Sequence, residues 1–155
     1  MCILAIKHDL NTQWLLSIFK KIKNQTDAIC KIAVEKNGML LAFVVNQTEE
    51  ICLIAVKQNP DNLQYVNNQT DAICKIAVEK DGKALQFIEN QTEAICKIAV
   101  EQNPDNLQYV ENQTDAICKI AVEKDGKALQ FVKNKTEELC KIAVEQDINN
   151  LKYVK

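Results

Sequence analysis

The chain has 155 residues, 47% of them hydrophobic, and 19 basic against 21 acidic side chains give a formal net charge of −2. Because a polyanion-binding surface needs clustered excess lysine or arginine, this balance argues against a nucleic-acid partner. No stretch approaches the roughly 18 consecutive apolar residues of a membrane helix, and no basic segment precedes the short apolar run at the start. We therefore expect a soluble protein without a secretory signal and without a membrane partner.

Residues 1–23 are a degenerate copy of the sequence that follows. Residues 2–7 (CILAIK) align with residues 52–57 (CLIAVK), but six residues are inserted after them. Apolar side chains recur in the enlarged stretch at helical spacing, namely Leu10, Trp14, Leu15, Ile18, Phe19 and Ile22. We expect a capping element that covers the apolar face of the first full repeat. The alternative is a docking helix for another protein, with Trp14 as its anchor.

From residue 24 onward the chain repeats every 22 residues without a gap. The same threonine returns in each copy, at Thr26, Thr48, Thr70, Thr92, Thr114 and Thr136. Six tandem repeats result, numbered 1 to 6 here: 24–45, 46–67, 68–89, 90–111, 112–133 and 134–155. Repeats of this length form layers that bury their apolar faces against their neighbours.

The first segment of each repeat predicts an α-helix, shown here for residues 70–79 (TDAICKIAVE). Thr70 is a good N-cap, and the acid after it suits the positive end of a helix. The alternative cap is Asn68, with Asp71 three residues later as in a capping box. Apolar residues cover more than half of the circumference, which indicates a helix packed between two layers. Asp71, Lys75 and Glu79 form an exposed row of ion-pairing residues on the remaining strip.

The second segment alternates between two spellings, KDGKALQF and QNPDNLQY. In the first, Gly82 is expected to adopt the left-handed conformation that ends a helix. In the second, Asn103 and Pro104 suit the cap and first position of a new helix. A short helix follows in both, and its second position alternates in charge between layers, at Asp61, Lys83, Asp105 and Lys127. The structural repeat is therefore 22 residues long, whereas the chemical repeat is 44.

Two β-containing alternatives are weaker. The Asp-Gly pair between apolar runs is also a hairpin signal, but ICKIAVE does not alternate with period two. Leucine-rich repeats have a similar length, but their L-x-x-L-x-L pattern is absent. We predict an all-α fold, an α-solenoid of stacked 22-residue helical hairpins with a divergent N-terminal cap.

Six of the seven cysteines occupy one repeat position, at Cys30, Cys52, Cys74, Cys96, Cys118 and Cys140. Packed helices lie about 8 to 10 Å apart, whereas a disulfide needs Cα atoms within roughly 4.4 to 6.8 Å. Neighbouring cysteines should therefore remain unbonded. We expect buried free thiols in a reducing, intracellular compartment rather than metal or redox sites.

The segments IAVKQNPDNLQYV and IAVEKDGKALQFV resemble the repeat family catalogued as domain of unknown function four-one-one-six (DUF), which occurs in giant viruses of amoebae and some intracellular bacteria. The resemblance covers residues 24–155 and depends on the AV[KE]xxGxALxF/Y core, at Ala77, Val78, Gly82, Ala84, Leu85 and Phe87. Pro60, Pro104 and Ile148 depart from the glycine, which we expect to affect turn geometry alone. The resemblance implies a helical repeat of viral or host-interacting origin, in the cytoplasm or a virion, and supplies no catalytic residues.

No nucleotide-binding, dinucleotide-binding, zinc-protease or C-x-x-C motif occurs. An enzyme brings unlike groups together at one place, whereas near-identical layers offer the same groups everywhere. We expect no enzyme activity, cofactor, metal or small-molecule substrate. The Asn-x-Thr acceptor pattern, as in Asn24-Gln25-Thr26, is expected to serve helix capping rather than glycosylation.

The expected function is a scaffold for protein–protein interaction. Candidate contacts are Gln64, Tyr65, Gln108 and Tyr109 in the short helices, together with Trp14. The alternative is a structural subunit that self-assembles end to end or side by side, such as a viral component. Against end-to-end assembly, Lys135, Glu138 and Lys152 make the last repeat more polar, as a terminal cap should be.

Overall fold

The computed structural model describes residues 17–154, so Trp14 and most of the inserted N-terminal stretch lie outside the described residues. Each repeat contains a ten-residue α-helix followed by a six-residue 3-10 helix. The α-helices are Asp27–Lys36, Glu49–Gln58, Asp71–Lys80, Glu93–Gln102, Asp115–Lys124 and Glu137–Gln146. The 3-10 helices are Gly38–Phe43, Pro60–Tyr65, Gly82–Phe87, Pro104–Tyr109, Gly126–Phe131 and Ile148–Tyr153. With no strand among residues 17–154, the all-α prediction is confirmed and the hairpin alternative is wrong.

The chain divides into two compact units, Met1–Ala77 and Val78–Lys155. In unit 1 the α-helices of repeats 1 and 2 pack against each other, and so do their 3-10 helices. In unit 2 the same two contacts join repeat 4 to repeat 5 and repeat 5 to repeat 6. Successive repeats within a unit are therefore layers of a helical solenoid, as predicted.

Each α-helix begins at the repeated threonine. The Thr48 Oγ1 accepts a hydrogen bond from the Ile51 N–H at 3.4 Å, and Thr114 does the same for Ile117. Threonine is thus the N-cap, and the alternative cap at asparagine is wrong. The residue that ends each α-helix is also the N-cap of the 3-10 helix that follows. The Asn59 N–H donates to Ala55 O, while its side chain accepts from the Asp61 N–H at 3.0 Å and starts the 3-10 helix.

The core is a repeated set of small and branched apolar side chains. In repeat 4, Ala99 and Val100 from the α-helix and Leu107 from the 3-10 helix are fully buried. The equivalent side chains of repeats 2, 3 and 5 are also fully buried. Burial at these positions comes from both the hairpin partner and the neighbouring layer, as expected for a helix packed between layers.

The predicted role of the glycines is wrong. No residue described in the structure has positive φ, so no glycine adopts the left-handed conformation. Gly82 is instead the first residue of a 3-10 helix, capped by Asp81. A Cβ at Gly82 would overlap the Asn106 Nδ2 of the next repeat and lie 3.1 Å from Ala99 O. The glycine provides space for a neighbouring layer, so replacing it affects more than turn geometry.

Ion pairs occur within and between layers. Lys97 pairs with Glu93 at 2.7 Å along one helix, as the spacing predicted. Lys119 pairs with Glu138 of the next repeat at 2.7 Å, which spacing along one helix did not predict. The alternating charges at Asp105 and Lys127 form no ion pair among the described residues.

None of the helices between residues 17 and 154 has the length and apolar character needed to cross a membrane.

Candidate functional site

One aromatic side chain ends each 3-10 helix and remains half-buried. In repeat 4, Leu107 and Val110 are three residues apart and both are buried, whereas Tyr109 falls between them. Because a 3-10 helix has three residues per turn, positions three apart share a face and Tyr109 lies at the edge of that face. The equivalent rings, here called the aromatic row, are Phe43 and Tyr65 in unit 1 and Phe87, Tyr109, Phe131 and Tyr153 in unit 2.

The predicted contacts Tyr65 and Tyr109 belong to this row, and an exposed glutamine precedes each of them. The Gln64 Nε2 donates to Asp61 O at 2.9 Å, and the Gln108 Nε2 donates to Asp105 O at 2.8 Å. Within residues 17–154, neither tyrosine hydroxyl and neither glutamine side-chain oxygen forms a hydrogen bond. Each pair therefore presents an apolar ring edge beside polar groups that can still bond to a partner.

Two rings of the row lie against a lysine ammonium group. The Lys20 Nζ lies 4.4 Å from the ring centre of Phe43 in unit 1. In unit 2 the Lys152 Nζ lies 4.8 Å from the ring centre of Tyr153. Both distances are within the range of an attractive contact between an ammonium group and the negative face of a ring.

Sequence reasoning missed the phenylalanines of the row. Phe87 and Phe131 are half-buried like the tyrosines, although only the tyrosines were predicted as contacts. The signal was available, because all these rings occupy one position of the 22-residue repeat. The predicted anchor Trp14 lies outside the described residues.

A partly buried glutamine fixes neighbouring members of the row relative to one another. The Gln113 Nε2 donates to Leu107 O of repeat 4 at 3.1 Å and to Phe131 O of repeat 5 at 2.9 Å. Its Oε1 accepts from the Lys133 N–H at 2.9 Å. One side chain thus ties two successive 3-10 helices together by their backbones. Gln47 and Gln91 form the same bonds in their repeats.

The cysteine position of the repeat is largely buried. All six within the described residues are free, and five of them are buried. The Cys118 Sγ lies 3.8 Å from the Gln113 Oε1, to which it donates. Burial raises the pKa of the Cys118 thiol, as it does for Cys30, Cys52 and Cys96. A thiol with a raised pKa is a poor nucleophile at neutral pH, so these side chains act as small apolar groups.

Shallow grooves lie at the α-helix N-termini. In unit 1 a groove of about 340 Å³ contains Glu49 and Thr70, whose hydroxyl donates to the Glu49 carboxylate at 3.0 Å. In unit 2 a groove of about 220 Å³ contains the Lys119–Glu138 ion pair. Carboxylates in both grooves repel anions that the helix ends would otherwise attract. In the part of the chain that the structure describes, no three Cys, His, Asp or Glu side chains form a group that could hold a metal ion.

Comparison with known proteins agrees with the repeat pattern. Residues 28–70 match the family model described as Domain of unknown function (DUF4116). This range contains the IAVKQNPDNLQYV segment and confirms the resemblance for repeats 1 and 2. No curated protein and no solved structure matches the chain.

Proposed function

We propose that the chain is a non-enzymatic repeat scaffold that binds a protein partner through the aromatic row. The observation that carries this proposal is the half-buried ring that recurs at one position of each described repeat. The leucine two residues before that ring is fully buried in repeats 1 to 5. The fold therefore buries the leucine completely, whereas part of the neighbouring ring remains in contact with solvent.

Aromatic rings suit this role for two reasons. A Tyr or Phe ring buries a large area but has only two side-chain torsions to fix, so its ordering cost is low. The glutamine bonds that tie adjacent 3-10 helices also hold neighbouring rings in place before binding. A surface that is ordered in advance loses less entropy when a partner docks.

A crosslinking experiment tests the surface directly. The photoreactive residue p-benzoylphenylalanine is incorporated in place of Tyr109 in the native cell, and in place of exposed Asn112 as a control from the same unit. We expect irradiation to join one reproducible protein to position 109 and not to position 112. Tyr65 and its control Asn68 provide the same comparison in unit 1.

The next step tests whether binding of the captured protein requires the aromatic ring. We expect Tyr109→Ala to weaken its binding to the purified chain at least about tenfold, as truncation of a central aromatic contact does. Tyr109→Phe separates ring from hydroxyl, and Trp14→Ala tests the predicted N-terminal anchor by the same assay. Equal binding by Tyr109→Ala, Tyr65→Ala and the native chain would exclude the aromatic row as the binding surface.

The free thiols favour a reducing, intracellular compartment for this scaffold. Six cysteines without a disulfide among residues 17–154 are typical of proteins kept reduced. We expect all seven cysteines of the chain to react with an alkylating reagent when protein from the native cell is trapped and unfolded without reductant. A disulfide found by mass spectrometry in that sample would contradict this placement.

Self-assembly is the second candidate function, and exposed apolar side chains of repeat 6 favour it. Ile148 is 67% exposed, Leu151 57% and Val154 38%, alongside the polar Lys135, Glu138 and Lys152. The equivalent leucine is fully buried in repeats 1 to 5, so this face fits a further repeat, which a second copy would supply in an assembly. Light scattering and electron microscopy should then show assemblies that Leu151→Asp disperses. Monomers of the native chain at high concentration would end this candidate.

A further inference from the structure

A glutamine side chain joins each glycine-containing repeat to its successor. In unit 2 the Gln102 Oε1 accepts from the Gly82 N–H at 3.0 Å, while its Nε2 donates to Val78 O at 2.8 Å and Glu79 O at 3.0 Å. Its donor and acceptor groups are therefore both used by repeat 3. Gln58 makes the same three bonds to repeat 1, and Gln146 makes them to repeat 5.

A buried asparagine completes this contact. Asn106 is 3% exposed, and its Nδ2 donates to Ala99 O of its own repeat at 2.8 Å. The same nitrogen occupies the space where a side chain on Gly82 would begin. Asn62 lies against Gly38 and Asn150 against Gly126 in the same way. The asparagine can therefore pack only against a residue without a Cβ.

The other type of contact uses different residues at the same positions. In repeat 4 the glycine is replaced by Pro104, which has no N–H to donate. The following repeat has Lys124 where the glutamine would be, and Lys124 Nζ donates to Glu101 O. The lysine ammonium group donates hydrogen bonds and accepts none, so it does not need the backbone N–H that proline lacks. The asparagine position of repeat 5 is Ala128, which is small and fully buried.

We propose that these positions form a pairing code: the glycine-bearing face accepts only a repeat that carries the Gln–Asn pair, and the proline-bearing face accepts only one that carries Lys and Ala. Two requirements enforce it. A Gln–Asn repeat placed on proline would clash with the ring and lack a donor for the glutamine. A Lys–Ala repeat placed on glycine would leave the glycine N–H without an acceptor and open a cavity. Slippage by 22 residues is blocked, whereas slippage by 44 residues places glycine under a Gln–Asn repeat again.

Four substitutions, paired in two ways, test the code in the full chain. Gly82→Ala and Gly126→Ala are each combined with Asn106→Ala or Asn150→Ala. The cognate double variants combine substitutions that are in contact: Gly82→Ala with Asn106→Ala, and Gly126→Ala with Asn150→Ala. In each of them the new methyl group enters the space that the asparagine vacates. The crossed double variants combine Gly82→Ala with Asn150→Ala, and Gly126→Ala with Asn106→Ala. They have the same composition, but their two substituted residues do not contact each other.

We expect each cognate double to have a urea midpoint at least as high as that of its Gly→Ala single. Each crossed double should have a midpoint below both of its singles, because distant losses add. If Gly82→Ala alone fails to fold, recovery of a folded chain by Asn106→Ala and not by Asn150→Ala gives the same answer. Cognate doubles no more stable than crossed doubles would overturn the code.

Two deletions test the same code without any substitution. Removing residues 90–133 joins repeat 3 to repeat 6, so Gly82 again lies against a repeat that carries glutamine and asparagine. Removing residues 90–111 joins repeat 3 to repeat 5 and places a Lys–Ala repeat on Gly82. Since each layer adds stability, the shorter chain should ordinarily be the less stable one.

The code predicts the opposite order. The chain without residues 90–133 should unfold at a urea midpoint at or above that of the longer chain without residues 90–111. A midpoint that simply increases with the number of repeats would overturn the proposal. Both deletions leave Tyr65 and its surroundings in place, so the outcome is independent of whether the aromatic row binds a partner.

Discussion

Repeats 5 and 6 are built alike but buried differently. Both have a threonine-capped α-helix of ten residues, an aspartate that joins the two helices and a 3-10 helix of six residues. Leu129 and Val132 of repeat 5 are 0% and 4% exposed, whereas Leu151 and Val154 at the same positions are 57% and 38% exposed. The helical hairpin is therefore set by local bonds, and much of its apolar burial comes from the layer that follows.

The largest expected effect is the difference in stability loss between alanine substitutions at Leu129 and at Leu151. Leu129→Ala should lower the free energy of unfolding by about 2 to 5 kcal/mol, because it leaves a cavity among packed layers. Leu151→Ala should cost about 0.5 kcal/mol or less, since most of that side chain is already in solvent. Urea unfolding followed by circular dichroism gives both values. Equal losses would mean that the successor layer contributes little to burial.

The next effect concerns the glutamine that ties layers together. Gln113→Ala should cost about 1 to 3 kcal/mol, because it removes the hydrogen bonds that this side chain donates to Leu107 O and Phe131 O in a partly buried site. Gln108→Ala is the matched control. It removes one exposed bond within a single repeat, so its cost should stay within about 0.5 kcal/mol. Similar losses for the two variants would show that the contact between layers adds no stability.

Features set within one repeat were predictable from the sequence. Thr114, Asp125 and the branched residues between them define the helix boundaries through bonds of four residues or fewer, and the 22-residue period reveals them six times. The position of Tyr109 in a short helix followed from the same pattern. Its partial exposure identifies a surface, whereas the identity of a partner depends on a second molecule.

Features set between repeats were not predictable in this way. The role of Gly82 depends on Asn106, which lies in the following repeat, and a turn rule applied to the glycine alone gave the wrong reason. The Lys119–Glu138 pair joins residues 19 apart, so spacing along one helix does not indicate it. The alternation of Gly with Pro contained the information, but only the three-dimensional contacts show what it specifies.

A third effect should be the same in both repeats. Thr114→Ala and Thr136→Ala each remove the hydroxyl that accepts from the first turn, at 3.4 Å and 3.3 Å. Each should weaken its own helix by about 1 kcal/mol, because capping acts locally. Amide hydrogen exchange resolves the two helices, and Thr→Ser at either position should retain most of the protection. A much larger loss in one repeat would mean that capping depends on the neighbouring layers.

The smallest effect concerns the ion pair that joins the two repeats at the surface. The hydrogen bond from Lys119 lowers the pKa of the Glu138 carboxyl. A lowered folded pKa adds stability above the unfolded value of about 4.3, and this contribution is lost as pH falls through the folded pKa. The native chain should therefore exceed Glu138→Gln in urea midpoint at neutral pH, and the difference should vanish in acid.

Salt and a second carboxylate sharpen that measurement. Both side chains of the pair are solvent-exposed, so about 1 M salt should reduce the difference at neutral pH. Glu123→Gln is the control, because the Glu123 carboxylate lies 3.9 Å from the same ammonium within one helix and pairs with no second layer among the described residues. It should change the midpoint less than Glu138→Gln does. A Glu138→Gln difference that is unchanged from neutral pH to acid would show that the ion pair does not help to hold repeat 6 on repeat 5.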